Sequence, residues 1–437
     1  MDDLVPAFFV TLVGALLAVL QASRFARWES TVLVAAFAAH VFSAFVQIWF
    51  TKGLYGGGDL FGYTWSGETI AAVLRADFPR FGPEVLRLLF HRVAVLPVEG
   101  FGGGSSTGAM QALAGFLTYF TSGSTYTLCL IVAVAAHFGT VALYQAFSAS
   151  FPETLHPRLA FASMLVPSLV FWSSALLKEA VAMAGLGYLM LGMVRFRQKF
   201  SLLAVAQLAF GGLVIALIKA YILFPVVLAA GAWFYLESGN GKRRVVRPAH
   251  LLFGMAVAAS GVIVLGRIFP EYALDNLAEQ AASHQEAGML VRGASTYSIG
   301  DPTQTTLTGQ LVFAPLALVT SLFRPFLFES TSVQIGVNAL ETTAILFLTC
   351  RALLRRGLAG TWALLSHSPM LVFCTLFTLS FGVAVGLTTT NLGALSRYRM
   401  PLVPFLWALV LVLDTKNYYV TAPVAAPAPF LLRKRAL

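Results

Sequence analysis

The chain has 437 residues, of which 58% are hydrophobic and 11% are charged, and its mean hydropathy is +0.79. An ordinary soluble domain carries roughly 25% charged residues, because polar groups must cover its surface. The composition therefore excludes a soluble enzyme, a nucleic-acid-binding protein and a disordered chain, and it indicates an all-α, polytopic integral membrane protein. Three cysteines, Cys129, Cys350 and Cys374, lie in apolar runs and form neither a metal-binding spacing nor a disulfide framework.

Several apolar segments approach the length of about 20 residues that a helix needs to cross a bilayer. We interpret about eleven of them as transmembrane helices. In chain order they are 5–23, 31–50, 124–147, 158–175, 180–194, 201–217, 221–236, 250–268, 331–350, 369–388 and 400–414. The segment 309–323 is apolar but short and is followed by Arg324-Pro325, so it predicts a re-entrant or partial helix.

The net charge of +10 is distributed unevenly along the chain. Because Lys and Arg collect in cytoplasmic loops, alternation of the spans predicts an outside N-terminus and a cytoplasmic C-terminus. That orientation places 17 of the 29 basic residues inside, at 24–27, 158, 195–199, 242–247, 351–356 and 416–435. Residues 1–415 then form a single transmembrane domain with outer loops at 51–123 and 269–308, and residues 416–437 form a cytoplasmic tail. No signal peptide is expected, since acidic rather than basic residues precede the first apolar run.

The first outer loop begins with a glycine run, 56–58, followed by Asp59 and Tyr63. A carboxylate just above the membrane and between aromatic residues suits base catalysis. The alternative is an aspartate that caps a helix beginning near Thr64.

Residues 83–97 predict an amphipathic helix on the membrane surface, with Pro83 at its start and Pro97 at its end. Three polar residues three or four positions apart would share one face: Glu84, Arg87 and His91. The apolar side would consist of Leu86, Leu89, Phe90 and Val93. His91 is the candidate for direct chemistry, because imidazole exchanges protons near neutral pH.

The other outer regions are less regular. We interpret the run 102–106, Gly-Gly-Gly-Ser-Ser, as a flexible hinge. Residues 271–287 have a helical pattern, while 293–308, which includes Tyr297, are polar and irregular. Such a loop is either a lid or binding loop or a solvated connector.

Six cations lie near the outer membrane surface in this topology: Lys178, Lys219, Arg267, Arg324, Arg397 and Arg399. Charges at that depth are unfavourable unless they face a cavity or a partner. A membrane-level phosphate or pyrophosphate would account for them together, because arginine binds such oxygens bidentately and lysine adds a point charge. Individually, they could be snorkelling side chains or pairs such as Lys178 with Glu179 and Arg324 with Glu329.

The sequence resembles bacterial polytopic glycan enzymes, namely GT-C-type glycosyltransferases that use polyprenyl-phosphate sugars, and O-antigen polymerases. The residues that carry the resemblance are Gly57-Gly58-Asp59 with Tyr63, Pro167-Ser168, Phe171-Trp172-Ser173-Ser174, Lys178-Glu179, Arg324-Pro325-Phe326 with Glu329, and Arg397-Tyr398-Arg399 with Pro401. In GT-C enzymes an acidic residue early in the first outer loop is the usual catalytic base, which implies that role for Asp59.

The resemblance implies transfer of a sugar from a polyprenyl-phosphate-type donor to a glycan, lipid or protein acceptor. The reaction would occur on the periplasmic face of the bacterial inner membrane, in envelope polysaccharide or glycoconjugate synthesis. We expect the donor phosphate to contact Lys178, Lys219, Arg324, Arg397 and Arg399. The substrate would contact Tyr63, His91, Tyr297, Glu329 and Tyr398. The sequence identifies no cofactor with certainty. A divalent Mg or Mn ion stays open but is not indicated, because Asp59 has no acidic neighbour in an Asp-x-Asp pair, and no metal-binding residue is predicted.

Three alternatives stay open. An O-antigen-type polymerase or ligase would use lipid-linked oligosaccharide and depend more on arginines, His284 or His91 than on Asp59. A transporter or lipid flippase would need an ionisable relay inside the membrane, for which His40, His137 and Glu341 are the candidates. A structural scaffold would not need six outer cations. Membrane lipid is an expected partner in every case, and nucleic acid is not.

Overall fold

The computed structural model describes residues 3–54, 57–98, 100–101, 103–237 and 306–415, with 282–283, 285–286, 295–297 and 299 between them. In this part of the chain every regular secondary-structure element is a helix, and the one isolated β-bridge joins Thr296 and Asn391. The predicted span at 250–268, most of the predicted helix at 271–287, the tail 416–437, Arg267 and His284 lie outside the described residues.

The chain divides into two compact units, with the boundary between Lys219 and Ala220. The prediction of a single transmembrane domain is not tested by this division. The helices of the first unit are α1 (Leu4–Ala22), α2 (Arg27–Leu54), α3 (Asp59–Ala76), α4 (Phe78–Leu89), α5 (Ser106–Thr121), α6 (Thr125–Ser148), α7 (His156–Ala160), α8 (Pro167–Trp172), α9 (Lys178–Gln198) and α10 (Leu202–Lys219). Those of the second are α11 (Leu223–Glu237), α12 (Leu307–Leu311), α13 (Ala314–Phe323), α14 (Val333–His367), α15 (Pro369–Thr388), α16 (Leu392–Tyr398) and α17 (Val403–Leu413).

Seven described helical segments are long and apolar enough to cross a membrane. They are Leu4–Ala22, Arg27–Gly53, Thr125–Ser148, Lys178–Gln198, Leu202–Leu236, Val333–His367 and Pro369–Thr388. The pair α16 and α17, bent by 46°, would be an eighth as a broken span or a re-entrant loop. The described residues therefore support a polytopic membrane protein, while the predicted count of about eleven spans is not confirmed.

Three predicted spans differ from the structure in their local geometry. The segment 158–175 is not one helix, because the chain leaves helical geometry at Val166, where the ψ angle is 124°. The following Pro167 explains this break, since proline disfavours the helical conformation in the residue before it. The candidate span Leu202–Leu236 covers both predicted spans 201–217 and 221–236, and a 3-10 turn at Ala220–Ile222 lies between their helices.

The short apolar segment before Arg324 has the predicted character of a partial helix. It contains α12 and α13, and α13 has ten residues, about half the length that a span needs. A Cβ atom on Gly386 would lie 2.1 Å from the carbonyl oxygen of Ala317, so α13 packs directly on the backbone of α15.

Close backbone contacts at glycines hold the spans of the first unit together. A Cβ atom on Gly187 of α9 would lie 1.8 Å from the carbonyl oxygen of Gly139 in α6. On the other side of α9, a Cβ atom on Gly211 of α10 would lie 2.5 Å from the carbonyl oxygen of Gly185. Small residues at both interfaces allow the close packing that drives helix association in membranes.

Helices α3, α4 and α5 form a group between the candidate spans α2 and α6, and none of the three is itself a candidate span. Ile70 and Leu74 of α3, Val85 and Leu88 of α4, and Ala112 of α5 form their shared core. The core residues are four positions apart on α3 and three apart on α4, so each of these helices presents one apolar face to the others.

The predicted helix at 83–97 is wrong in its bounds. Helix α4 runs from Phe78 to Leu89, because the Asp77 side chain accepts a hydrogen bond from the Arg80 N–H (3.2 Å) and caps its start. The chain then leaves the helix, and His91 has a left-handed backbone conformation with a φ angle of 58°. His91 therefore does not share a helix face with Glu84 and Arg87.

Candidate functional site

The second unit contains a partly buried polar cluster after the short helix α13. Nε of Arg324 donates hydrogen bonds to Oε1 and Oε2 of Glu329, at 2.9 and 3.1 Å, and Nη2 also contacts Oε1. Burial alone would raise the pKa of Glu329, but the hydrogen bonds from Arg324 and from the N–H of Phe326 hold it below its ordinary value. The Arg324–Glu329 pair that we considered as an alternative for Arg324 is thus present.

Arg399 follows the last residue of α16 and is only 2% exposed. Its Nη1 donates to the carbonyl oxygen of Arg324 (2.6 Å) and, at 3.4 Å, to that of Ser321. Its Nε and Nη2 atoms are buried and have no hydrogen-bond acceptor among the described residues. A buried cation is strongly destabilising unless its donors are satisfied, so these two nitrogen atoms mark a position for an acceptor.

The side chain of Tyr297 belongs to the same cluster. The guanidinium of Arg324 lies 4.6 Å from the centre of the Tyr297 ring, and Tyr297 interacts electrostatically with Arg399. Burial raises the pKa of Tyr297, against the opposing effect of Arg324 and Arg399, so its hydroxyl stays protonated at neutral pH. The Tyr297 hydroxyl, like that of Thr320 in α13, is buried without a hydrogen-bond partner in the described part of the chain.

Backbone pairing fixes Tyr297 next to α16. The N–H of Tyr297 donates to the carbonyl oxygen of Thr390 (2.8 Å), and the N–H of Leu392 donates to that of Ser295 (3.0 Å). The Asn391 side chain caps α16 by accepting from the N–H groups of Gly393 and Ala394. These contacts hold the irregular segment around Tyr297 beside the helix that precedes Arg399.

The structure separates the three residues of the Arg-Tyr-Arg motif. Arg397 lies 5.6 Å from the centre of the Tyr398 ring, and Tyr398 is exposed. Arg399, in contrast, is buried, beside the partly buried Arg324 and Tyr297. Glu341 of α14 is a further buried member of this cluster, since its carboxylate interacts electrostatically with Arg399.

In the first unit, two of the predicted cations have local partners. Nζ of Lys178 donates to the hydroxyl groups of Ser106 and Thr107, both at 2.9 Å. Nζ of Lys219 donates to Oε1 of Glu179 at 2.6 Å, and both side chains are buried. Glu179 thus pairs with Lys219 rather than with its neighbour Lys178. The hinge predicted at 102–106 ends in the first turn of α5, where Ser105 caps the helix.

The remaining predicted residues of the first unit lie around α3 and α4. Asp59 is exposed in the first turn of α3, where the helix dipole favours a carboxylate. Helix α3 begins at Asp59 rather than near Thr64, and Gly58 precedes it with a φ angle of 134°. Tyr63 is buried one turn later, and Nε2 of His91 lies 2.6 Å from the carbonyl oxygen of Leu217.

The first unit also contains two buried imidazoles. The ring centres of His40 in α2 and His137 in α6 are 5.4 Å apart. Nδ1 of His40 lies 2.8 Å from the carbonyl oxygen of Ala36, and Nε2 lies 3.2 Å from Oγ of Ser173. Both ring nitrogens of His137 are buried without a hydrogen-bond partner among the described residues.

Sequence reasoning identified Arg399, Arg324, Glu329 and Tyr297 as members of a site, and the structure brings these four together within the second unit. It missed Thr320, because a single threonine in a short apolar helix has no distinguishing pattern. Among the described residues, no group of three or more His, Cys, Asp or Glu side chains could hold a metal ion.

Comparisons with known proteins do not assign the chain to a family. No model of a protein family matches the sequence, and no curated protein is significantly similar to it. No solved structure matches the fold.

Proposed function

We propose that this protein is a membrane glycosyltransferase that moves a sugar from a polyprenyl-phosphate-type donor to a glycan, lipid or protein acceptor. The observation that carries this proposal is the buried guanidinium of Arg399, whose Nε and Nη2 have no acceptor among the described residues. A phosphate group supplies two oxygen atoms at the spacing of these two donors. The neighbouring hydroxyls of Tyr297 and Thr320 would donate to the same group.

In the proposed reaction, an acceptor hydroxyl loses its proton to a carboxylate and its oxygen bonds to the anomeric carbon of the sugar. The bond between that carbon and the phosphate oxygen breaks, and the lipid phosphate leaves with the electron pair. Attack opposite the leaving group inverts the anomeric carbon. Arg399 would stabilise the negative charge on the leaving phosphate, an effect worth about 3 kcal/mol for one well-placed donor.

Asp59 is the proposed general base. Its exposure in the first turn of α3 leaves it accessible to an acceptor. Of the other predicted phosphate ligands, Arg324 is already paired with Glu329 in the same unit, so positioning and charge balance are its proposed roles. Lys219 is paired with Glu179 within the first unit. The reaction is proposed for the periplasmic face of the bacterial inner membrane, with an outside N-terminus and a cytoplasmic C-terminus, in envelope polysaccharide or glycoconjugate synthesis.

Binding of decaprenyl phosphate to the purified protein tests the phosphate site, with uncharged decaprenol as the reference lipid. The Arg399→Gln variant should bind decaprenyl phosphate at least about tenfold more weakly, because hydrogen bonds to a charged group are lost. Tyr297→Phe, which removes only a hydroxyl group, should weaken binding less. The matched control is Arg355→Gln, since Arg355 is a partly exposed arginine that pairs with Asp414 in the same unit. Equal affinity of the wild type for both lipids, or unchanged binding in both site variants, would contradict the proposal.

An O-antigen-type polymerase or ligase would use the same phosphate site with a lipid-linked oligosaccharide as donor. It differs in its product, so a chain of several repeat units from one acceptor would favour it over transfer of a single sugar.

Proton-coupled transport or lipid flipping is the second candidate, and the buried His40–His137 pair favours it. Two imidazoles 5.4 Å apart inside candidate spans could pass a proton. Proteoliposomes test this function directly: proton uptake that requires His137 and accompanies movement of a lipid or solute would support transport, and its absence would leave transfer as the better account.

A further inference from the structure

A surface groove lies beside α4, in the group of helices between α2 and α6. Its volume is about 510 Å³, and it is lined by Pro83, Leu86, Arg87, Phe90 and Arg92. The walls are therefore apolar, and the two charged residues of the lining are both arginines. This combination fits a ligand with a hydrocarbon part and an anionic head.

The groove belongs to the side of α4 that points away from the protein core. Val85 and Leu88 of α4 are buried against α3 and α5, whereas Leu86 and Phe90 are 47% and 50% exposed. Val93, just beyond the helix, is 71% exposed. A contiguous exposed apolar surface of this kind marks a contact with lipid or with another apolar partner.

The chain connections keep this surface close to the membrane. Helix α3 begins at Asp59, a few residues after the candidate span Arg27–Gly53, and α5 ends at Thr121, a few residues before the candidate span Thr125–Ser148. A group of helices between two such short connections lies at the ends of both spans, where lipid head groups are found. Amphipathic helices with arginine beside an apolar face bind this interface and prefer anionic lipids.

The two arginines have donors available for a head group. One nitrogen of Arg87, Nη1, donates to Oε1 of Glu84 at 3.1 Å, which leaves the other donors of a guanidinium that carries five. The side chain of Arg92 makes no hydrogen bond or ion pair with the described residues, and it is exposed.

Glu84 links the two sides of the groove, which are α4 and the segment that follows it. Its Oε1 accepts from Arg87, and its Oε2 accepts from the N–H of Val95 at 2.9 Å. These two contacts hold the pKa of Glu84 below its ordinary value, so the carboxylate remains ionised at neutral pH. The segment that carries Arg92 is thereby fixed next to the helix that carries Arg87.

We propose that this groove binds an anionic phospholipid of the surrounding bilayer, with the phosphate between Arg87 and Arg92 and the acyl chain along Leu86 and Phe90. This site is separate from the Arg399 cluster and does not depend on the proposed glycosyl transfer. Electrostatic attraction gives the preference for anionic lipid, while the apolar walls exclude a free phosphate ion.

Lipid binding to the purified full-length protein tests the proposal. Dioleoylphosphatidylglycerol is titrated into the protein in a zwitterionic detergent, and bound lipid is measured by native mass spectrometry, with dioleoylphosphatidylcholine as the neutral lipid. The double variant Arg87→Gln/Arg92→Gln should lose at least about tenfold in affinity for phosphatidylglycerol. Leu86→Ser should weaken both lipids without changing the preference. Arg80→Gln is the matched control, because Arg80 is on the same helix but lies 5.1 Å from the Phe81 ring centre and does not line the groove.

Four results would overturn the proposal. Unchanged phosphatidylglycerol binding in the double variant would remove the role of the arginines. Displacement of the lipid by inorganic phosphate at an equal concentration would show that the apolar walls contribute nothing. Displacement by decaprenyl phosphate at concentrations far below that of phosphatidylglycerol would assign the groove to the polyprenyl lipid instead. If the control variant Arg80→Gln lost as much affinity for phosphatidylglycerol as the double variant, the proposal would also be contradicted, since overall charge would then be the cause.

Discussion

At the scale of single residues, the buried arginine distinguishes the candidate site from an ordinary ion-pair network. Arg324 and Glu329 satisfy each other, whereas Arg399 is buried with two nitrogen atoms that have no acceptor among the described residues. The sequence predicted that Arg324 and Arg399 belong to one site, because charges near a membrane surface need a partner. The sequence left open whether Arg324 pairs with Glu329 or binds a phosphate, and a turn of the chain after α13 brings Glu329 back to Arg324.

The role of Asp59 can be tested against a second exposed aspartate at a helix start. Asp59, the first residue of α3, and Asp77, which precedes α4, are both exposed. Asp59→Asn should reduce turnover of a labelled polyprenyl-phosphate sugar by about 10²–10⁴-fold, the contribution of a general base. Asp77→Asn should retain activity, because asparagine caps a helix as well as aspartate does. Full activity of the Asp59→Asn protein in the membrane would contradict the assignment.

His156 gives a prediction about stability and pH. Its Nδ1 lies 3.6 Å from Oε1 of Glu29, and its Nε2 lies 3.1 Å from the carbonyl oxygen of Ser148. Burial alone would lower the pKa of His156, but Glu29 and the carbonyl oxygens raise it above its ordinary value. Both ring nitrogens face oxygen atoms, so only the protonated imidazole can donate to both.

Because the pKa of His156 is raised in the folded protein, its stabilising effect is complete below the unfolded pKa and is lost as the pH rises through the folded value. The melting temperature of the wild type should therefore fall as the pH rises above about 6.5, the unfolded histidine value. His156→Gln should be less stable at low pH and show a smaller pH dependence, while the control His367→Gln should follow the wild type. Parallel melting curves of the wild type and His156→Gln across this range would show that the ion pair is not stabilising.

At the scale of elements, local sequence signals decided where helices begin but not which segments form one span. Asp77 and Pro79 start α4, whereas the prediction placed the start at Pro83, the second of the two prolines in that region. Pro167 breaks the predicted span 158–175, a signal that the average hydropathy of a window conceals. Glycine contacts between helices have no local signature, since Gly211 and Gly212 are adjacent and only one of them meets α9.

This pair of glycines allows a matched test of close packing in the first unit. A Cβ atom on Gly211 would lie 2.5 Å from backbone atoms of α9, whereas one on Gly212 would meet nothing within 4 Å. Gly211→Ala should destabilise the protein by about 1–3 kcal/mol through overpacking. Gly212→Ala should be neutral or slightly stabilising, because alanine is the better helix former. Thermal unfolding in detergent measures both, and equal stability of the two variants would contradict the packing described for α9 and α10.

At the scale of the whole molecule, composition was sufficient to predict a helical membrane protein, because 58% hydrophobic residues cannot be covered by 11% charged ones in a soluble fold. The number of spans could not be predicted equally well. Hydropathy measures whether a segment tolerates lipid, whereas proline breaks and 3-10 turns decide where one helix ends. The excess of positive charge predicts an orientation, and the function that we propose depends on the few cations that deviate from that pattern.

The most direct test of the proposed donor site is an electron cryomicroscopy structure of the protein with decaprenyl phosphate bound. The account predicts phosphate density within hydrogen-bond distance, about 3 Å, of Nε and Nη2 of Arg399. The Tyr297 hydroxyl should contact the same density. A carboxylate of the protein that accepts both hydrogen bonds from Arg399, with the lipid phosphate bound elsewhere, would contradict the account.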